Sequence, residues 1–271
     1  MINNRPPKEM SFLDHLEELR WCLVRSLAAV MIFAVLAFIY KNIIFDKILL
    51  APKNPAFFTN RMLCLLGTEL NLPHLCIKSK PFQLINLDIS GQFNTHLMVS
   101  FIAGFIIAFP YIFYEFWKFI KPALYEKELK KARGAIFYIT FLFLLGILFG
   151  YYIIVPMSIS FFGDYQVSNS VMNQINLGSY ISMVTTTTLG CGIIFEIPVL
   201  IFFLSSIGIL SPKFLIKYRR HAIVLILILA AVITPPDAFS QVIVALPLIM
   251  LYEVGIMISK KITKKREAES L

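Results

Sequence analysis

MSFLDHLEELRWCLVR, residues Met10 to Arg25, joins an acidic, amphipathic lead-in directly to a long apolar segment. Ser11 and Asp14 have the spacing of a capping box, which predicts that a helix begins here. Apolar side chains then recur at steps of four and three and form one stripe: Phe12, Leu16, Leu19 and Leu23. Glu17 and Glu18 lie too far into this helix for its own dipole to explain them. The stretch therefore predicts an entry helix that carries carboxylates at a membrane surface.

The composition excludes an ordinary soluble domain. The 271 residues are 58% apolar, include 25 phenylalanines and have a mean hydropathy of +0.76, whereas a soluble domain is roughly half apolar. A membrane-spanning helix needs about 20 apolar residues. Six candidate spans lie at about residues 21–45, 94–117, 134–156, 177–207, 222–233 and 239–259. The sequence therefore predicts an all-α integral membrane protein with six transmembrane helices in a single domain, residues 1–271.

The last two spans are predicted to be short. Residues 222–233 number only 12, which at about 1.5 Å per residue cover about 18 Å, against a hydrocarbon core of about 30 Å. Either the bilayer thins beside this fifth span or protein shelters its ends, and we hypothesise a thinned patch. Proline lies inside or at the end of several spans, at Pro110, Pro156, Pro198 and Pro247, which predicts curved or kinked helices.

The distribution of lysine and arginine predicts the orientation. Nineteen of the 25 basic residues fall in four segments: residues 1–25, 118–133, 213–220 and the tail from Lys260. Short cytoplasmic segments retain positive charge, so both termini are expected in the cytoplasm. The long segment 46–93 is then external, and its prolines predict irregular chain with one or two short helices. Cys64 and Cys76 share this segment, and we hypothesise a disulfide between them.

Several carboxylates lie where negative charge is costly or unexpected. An ionised acid at bilayer depth costs roughly 2.5–3.5 kcal/mol, so Glu196 is a candidate functional residue, and Glu253 is a second. Among the cytoplasmic cations, Glu17, Glu18 and two further acids form either simple surface pairs or an acidic pocket for a basic ligand. These two are Glu126 and Glu128. No nucleotide-binding loop, catalytic triad or metal cage is recognisable, so neither an enzyme nor a cofactor is predicted.

Four motifs in order resemble one family. These are FLDHLEELR at Phe12, FWKFIKPALYEKE at Phe116, FEIPV at Phe195, and AVITPPDAFSQ at Ala231 with the following LPLIMLYE. Together they resemble the TatC subunit of the twin-arginine protein translocase, and the resemblance covers essentially the whole chain. It implies a receptor for signal peptides that bear two consecutive arginines.

The resemblance also implies site residues. The recognition carboxylates of the family fall on Glu18 and Glu128, and three residues frame the same cytoplasmic site: Arg20, Phe119 and Pro122. Glutamate suits this role because a guanidinium group prefers a planar, bidentate acceptor. A second set, expected within the membrane or at partner interfaces, comprises Pro52, Glu196, Asp237, Gln241 and Glu253.

The predicted function is that of the core receptor subunit of a translocase for folded proteins. It would assemble with TatA-like and TatB-like single-span subunits, form homo-oligomers within that complex, and use the proton-motive force. The membrane is expected to be a bacterial inner membrane, with a thylakoid or mitochondrial inner membrane left open. No nucleic acid partner is predicted, because the basic residues lie between spans. Two alternatives are a proton-coupled small-solute carrier that uses Glu196 and a membrane scaffold without a transport role.

Overall fold

The structure is a computed structural model that describes residues 12–69, 83–120, 134–166, 168, 173–234 and 238–270. The helices in chain order are α1 (Phe12–Ile39), α2 (Phe58–Glu69), α3 (Gly91–Ile120), α4 (Ala135–Phe149), α5 (Val155–Asp164), α6 (Leu177–Ile194), α7 (Ile197–Ser206), α8 (Pro212–Lys217), α9 (Arg219–Ile233) and α10 (Ala238–Ser270). Two π-helical segments, Ile43–Leu49 and Gly150–Ile154, and a 3-10 turn at Ala51–Lys53 complete the helical structure. The prediction of an all-α membrane protein is confirmed.

Within the described part of the chain, five helical stretches are long and apolar enough to cross a membrane: His15–Ile39, Gly91–Phe119, Ile136–Gly163, Leu177–Ser206 and Ser240–Lys264. They correspond to the first four predicted spans and the sixth. The predicted fifth span lies in α9, which has 15 residues and is therefore about 22 Å long. The prediction of a short fifth helix is confirmed.

Two predicted boundaries need correction. The sixth helix is not short, because α10 runs for 33 residues from Ala238 to Ser270. Its tail is rich in lysine, glutamate, arginine and alanine, which are strong helix formers and continue the helix beyond its apolar part. The first span was predicted to reach Phe45, but α1 ends at Ile39 and the chain continues through the π-helical segment Ile43–Leu49.

The α-helical geometry changes directly before two of the four prolines of the predicted spans, Pro156 and Pro198. Pro156 lies in the first turn of α5, directly after the π-helical segment Gly150–Ile154. Pro198 lies in the first turn of α7, after a break from α6 at Phe195 and Glu196. Proline has no backbone N–H, so it fits a first turn, where that donor would lack a partner. Pro110 and Pro247 instead lie inside α3 and α10.

The described residues fall into two compact units. The first takes its residues from Met1–Lys41 and His96–Phe141, and its centre is the contact between α1 and α3. A Cβ added to Gly104 would lie 2.6 Å from the backbone nitrogen of Ala34, so the two backbones are very close. Small residues allow such close packing between membrane helices. On the same helices, the His96 ring stacks on Phe38 with centroids 3.9 Å apart.

The second unit takes its residues from Asn42–Thr95 and Leu142–Leu271. Its apolar core combines residues of α6, α7, α9 and α10, among them Ile194, Ile201, Ile226, Val244 and Leu248. Two hydroxyl pairs cross this unit, Ser158 with Ser240 at 3.0 Å and Ser205 with Ser259 at 2.8 Å. Hydrogen bonds of this kind satisfy polar groups that have no water to bind inside a membrane. The prediction that one membrane domain covers the whole chain stays a prediction.

The segment between the first two spans contains α2, as the sequence predicted, and also a short strand that it did not predict. Strand β1 (Leu84–Ile85) pairs in parallel with β2 (Ile175–Asn176), with Leu84 opposite Ile175 and Ile85 opposite Asn176. Cys64 in α2 is disulfide-bonded. Its predicted partner, Cys76, lies outside the described residues, so that pairing stays a prediction.

Candidate functional site

The first unit contains a cleft of about 370 Å³ between α1 and α3. Its lining residues are Glu17, Glu18, Trp21, Cys22, Arg25, Glu115, Lys118 and Phe119. The α1 members are spaced by one, three or four residues, and the α3 members by three and one. Such spacings bring side chains to one face of a helix. The cleft therefore follows from the meeting of two polar faces on helices that are otherwise apolar.

The most buried charged residue among those that line the cleft is Glu115, which is 6% exposed although it lies within an apolar span. Arg25 Nη1 donates a hydrogen bond of 3.3 Å to Glu115 Oε2. The Arg25 side chain itself is 48% exposed. Burial of a carboxylate without a cation would be costly, so the contact with Arg25 offsets part of the cost of burying Glu115.

The rest of the cleft is acidic and aromatic. Glu17 and Glu18 are exposed, and Lys118 is the second cation of the lining. Among the described residues, three carboxylates thus share the cleft with two cations. Phe119 forms part of the wall, and its ring stacks on His15 with centroids 4.4 Å apart. A cleft with excess carboxylate and an aromatic wall suits a guanidinium group, which pairs with carboxylates and stacks on rings.

The structure brings together only part of the predicted binding set. Glu18 and Phe119 both line the cleft, whereas Arg20 is exposed on α1 and is not among the lining residues. Pro122 and Glu128 lie outside the described residues. Sequence reasoning missed Glu115 and Arg25 as members of the site. The criterion that selected Glu196, an acid inside an apolar span, applies equally to Glu115 and would have found it.

The second predicted set lies in the second unit, where Glu196 occupies the break between α6 and α7. It is 7% exposed and lies within the span Leu177–Ser206. The backbone of Phe143 approaches it. Within the described residues, however, no contact of either carboxyl oxygen has the geometry of a hydrogen bond. A buried acid without a cation is expensive in a membrane, which marks Glu196 as a functional candidate.

Two other members of this set, Gln241 and Glu253, have intramolecular contacts. Gln241 Nε2 donates a hydrogen bond of 3.1 Å to the Leu227 carbonyl, and Glu253 Oε1 lies 2.5 Å from Arg219 Nη2. Both contacts join α10 to α9. Pro52 is buried in the 3-10 turn, and Asp237 lies outside the described residues. Gln241 and Glu253 therefore stabilise the hairpin of the last two helices.

A larger cavity of about 800 Å³ opens in the same unit. Hydroxyl side chains of α6, among them Ser182, Thr186 and Thr187, form part of its lining together with Ile233 and Thr234. Thr187 Oγ1 donates a hydrogen bond of 3.2 Å to the Ile233 carbonyl. The threonine run in the fourth span thus lines a concave surface instead of lying wholly in helix contacts.

These features define a class of protein. Apolar helices of membrane-spanning length carry one cleft with excess carboxylate and one isolated buried glutamate. The cleft contains an ion pair, whereas the buried glutamate has none among the described residues. The arrangement is that of a polytopic helical membrane protein with polar groups inside its apolar helices.

The family model described as Sec-independent protein translocase protein (TatC) matches residues 14–247. The chain is 45% identical to the Sec-independent protein translocase protein TatC of Blattabacterium sp. subsp. Periplaneta americana over 95% of its length and 98% of that relative. It is 32% identical to TatCy of Bacillus subtilis over 97% of its length and 93% of that relative.

Two crystal structures titled as the twin arginine translocase receptor TatC are also similar. One aligns with a TM-score of 0.67 at 31% identity, over 92% of this chain and 99% of that chain. The other, in the detergent DDM, aligns with a TM-score of 0.70 at 31% identity, over 90% and 99%. The chain therefore belongs to the TatC family. It is a non-enzymatic, multi-pass membrane component of a protein translocase, and six membrane helices are the family fold.

Proposed function

We propose that this chain is the receptor subunit of its translocase and binds twin-arginine signal peptides in the α1–α3 cleft. The observation that carries the proposal is the meeting of Glu18 with Phe119 in a cleft where carboxylates outnumber cations. Two adjacent guanidinium groups need planar acceptors and a partly dehydrated surface. An exposed carboxylate beside an aromatic wall supplies both.

Glu128 is proposed as the second recognition carboxylate, with Arg20 and Pro122 framing the site. These assignments rest on the match of residues 116–128 to the family motif. Glu18 and Glu128 would each accept one guanidinium group. Charge-assisted, bidentate pairs are stronger and more directional than the pairs a lysine ammonium forms, so two arginines are preferred over two lysines.

A second part of the proposal concerns assembly. Membership of the family implies a complex with other subunits, and we propose TatA-like and TatB-like single-span proteins, further copies of this chain and the proton-motive force. Glu196 and Gln241, with Pro52, Asp237 and Glu253, would serve these contacts. The buried Glu196 carboxyl offers an acceptor to a donor on an incoming helix. Both termini would lie in the cytoplasm and the membrane would be a bacterial inner membrane.

The decisive experiment places a photo-crosslinking residue at position 128 of the full chain and adds a precursor with two consecutive arginines. An adduct is expected, and it should be lost when both arginines of the precursor are replaced by lysine. In parallel, Glu18→Ala should weaken binding about tenfold or more, the effect of one charge-assisted pair. Glu69→Ala, which removes an exposed carboxylate of α2 outside the cleft, is the matched control.

The proton-coupled carrier is not favoured, because the chain belongs to a family of protein translocase components. A carrier would give no adduct at position 128. It would also bind twin-arginine and twin-lysine precursors equally, so the same experiment separates the two functions.

A further inference from the structure

We propose that Glu115 is a further ligand-binding residue of the α1–α3 cleft and that Arg25 is its resting counter-ion, which one arginine of the peptide displaces. The inference rests on the proposed function and concerns how that same site selects arginine. It assigns a role to an ion pair between residues 90 positions apart in the chain.

The ion pair of Glu115 and Arg25 lies in the wall of the cleft. Glu115 and Arg25 both line the cleft together with Glu18 and Phe119, so a ligand in the cleft meets the pair directly. Glu115 is 6% exposed, whereas Glu17 and Glu18 are exposed, so the carboxylates of the cleft differ in burial. A guanidinium group that pairs with Glu115 would be more shielded from water than one that pairs with Glu17 or Glu18.

The existing contact between Arg25 and Glu115 is weak. Arg25 reaches Glu115 with one hydrogen bond of 3.3 Å, which is longer than the roughly 2.7–2.9 Å of a strong charge-assisted bond. Its side chain is 48% exposed, so water can hydrate the guanidinium group once it leaves. A second guanidinium with bidentate geometry would form a better pair with Glu115 at little cost to Arg25.

The buried Glu115 carboxylate needs a cation at every stage of peptide binding. Removal of Arg25 alone would leave Glu115 without a cation in an apolar span, which is strongly unfavourable. Exchange of one guanidinium for another keeps the carboxylate paired throughout. Arginine is suited to this exchange because it remains charged and less hydrated than lysine. Glu115 would then share one of the two arginines with an exposed carboxylate, and no buried charge would be left without a partner.

Glu115→Gln and Arg25→Gln have opposite expected effects on binding. The probe is a labelled synthetic signal peptide with two consecutive arginines, added to the full chain in lipid nanodiscs and followed by fluorescence anisotropy. Loss of the Glu115 carboxylate should weaken binding about tenfold or more, whereas loss of the competing Arg25 should strengthen it several-fold. A purely structural ion pair would weaken binding in both variants. Asp46→Asn, an exposed carboxylate outside the cleft, is the control.

A double-mutant cycle makes the test specific. Peptides with either arginine replaced by lysine are titrated against the parent and against Glu115→Gln. If Glu115 contacts one arginine, replacing that arginine costs affinity in the parent and much less in the variant, while the other position is unaffected. Equal costs in both proteins, or unchanged binding in Glu115→Gln, would overturn the inference while leaving the receptor function intact. Failure of the parent to distinguish arginine from lysine would instead overturn the proposed function and this inference with it.

A folding defect does not prevent the test. If Glu115→Gln cannot be purified, the combined variant Arg25→Gln with Glu115→Gln removes both charges and leaves no buried ion. It should lose the preference for arginine over lysine at one position of the peptide and keep it at the other. Parent-like discrimination at both positions in the combined variant would contradict a role for Glu115.

Discussion

Two buried glutamates in apolar spans have opposite surroundings. Glu115 in α3 is 6% exposed and has a guanidinium group from Arg25 as its partner. Glu196, at the break between α6 and α7, is 7% exposed, and within the described residues its carboxyl oxygens form no hydrogen bond of normal geometry. The two carboxyl groups are thus equally buried, but only Glu115 has a cation beside it among the described residues. The comparison teaches that a buried acid must be judged by its partner as well as by its depth.

The difference suggests that the two glutamates have different roles. A paired carboxylate in a cleft can exchange its cation for one supplied by a ligand, which suits binding. A carboxyl with no cation among the described residues offers an acceptor within the membrane, which suits an incoming helix. We expect signal-peptide binding to depend on the α1–α3 cleft and precursor transport to depend on the unit that contains Glu196.

The largest effect is expected from lengthening α9. Insertion of four leucines after Val232 extends the apolar helix by about 6 Å and removes the mismatch that would thin the bilayer. Transport should be abolished, while peptide binding in the cleft stays at the parental level. Measurements are transport into inverted membrane vesicles and peptide anisotropy.

Insertion of four serines at the same place is the matched control, because it shifts Ile233 equally without lengthening the apolar stretch. It should retain more transport than the leucine variant. Transport at the parental rate with the leucines in place would rule out a role for thinning beside α9.

A smaller but still large effect is expected from Gly104→Ala. The added Cβ would lie 2.6 Å from the Ala34 nitrogen, a backbone atom that cannot move without separating α1 from α3. Overpacking of this kind costs typically about 1–3 kcal/mol. Both the thermal stability and peptide binding should fall, because the cleft depends on this contact.

Gly134→Ala is the corresponding control in the same unit. Among the described residues, its Cβ would meet only the Tyr138 ring, at 3.3 Å, which is a side chain able to yield. Its melting temperature in detergent should stay near that of the parent. Equal melting temperatures for the two alanine variants would show that the close approach of α1 and α3 does not limit stability.

Arg25→Ala is expected to reduce the free energy of unfolding by about 1–2 kcal/mol. The value lies below the cost of breaking a fully buried pair because half of the Arg25 side chain is exposed. Adding Glu115→Gln should restore most of the loss, since no charge is then left buried. Thermal unfolding of the three proteins measures this, and no recovery in the combined variant would contradict the pairing.

Glu196→Gln is expected to have the smallest effect on stability, within about 1 kcal/mol of the parent, because no ion pair is lost. Peptide binding should be unchanged and transport reduced. The same unfolding and anisotropy measurements apply. A loss of stability as large as that of Arg25→Ala would show that Glu196 has a structural cation or donor in the folded protein.

Much of this molecule was predictable from local sequence. Apolar length identified five spans and the short α9, since a bilayer of fixed thickness imposes a length on each helix. The prolines indicated the changes in helical geometry before Pro156 and Pro198, because proline removes a backbone hydrogen-bond donor from its own turn. Motif spacing identified the family. The length of α10 was misjudged because a charged tail marks the end of a membrane span but does not end a helix.

The sequence by itself therefore determined the class, the order of spans and the family, which depend on properties read within one helix. Only the tertiary structure decided which cation faces Glu115, that Gln241 binds the Leu227 carbonyl, and that Glu18 shares a cleft with Phe119. The partners in these contacts lie between 14 and 101 positions apart. Partner choice over such separations is set by how helices cross and by which small residues let them approach, and neither is encoded in the periodicity of a single helix.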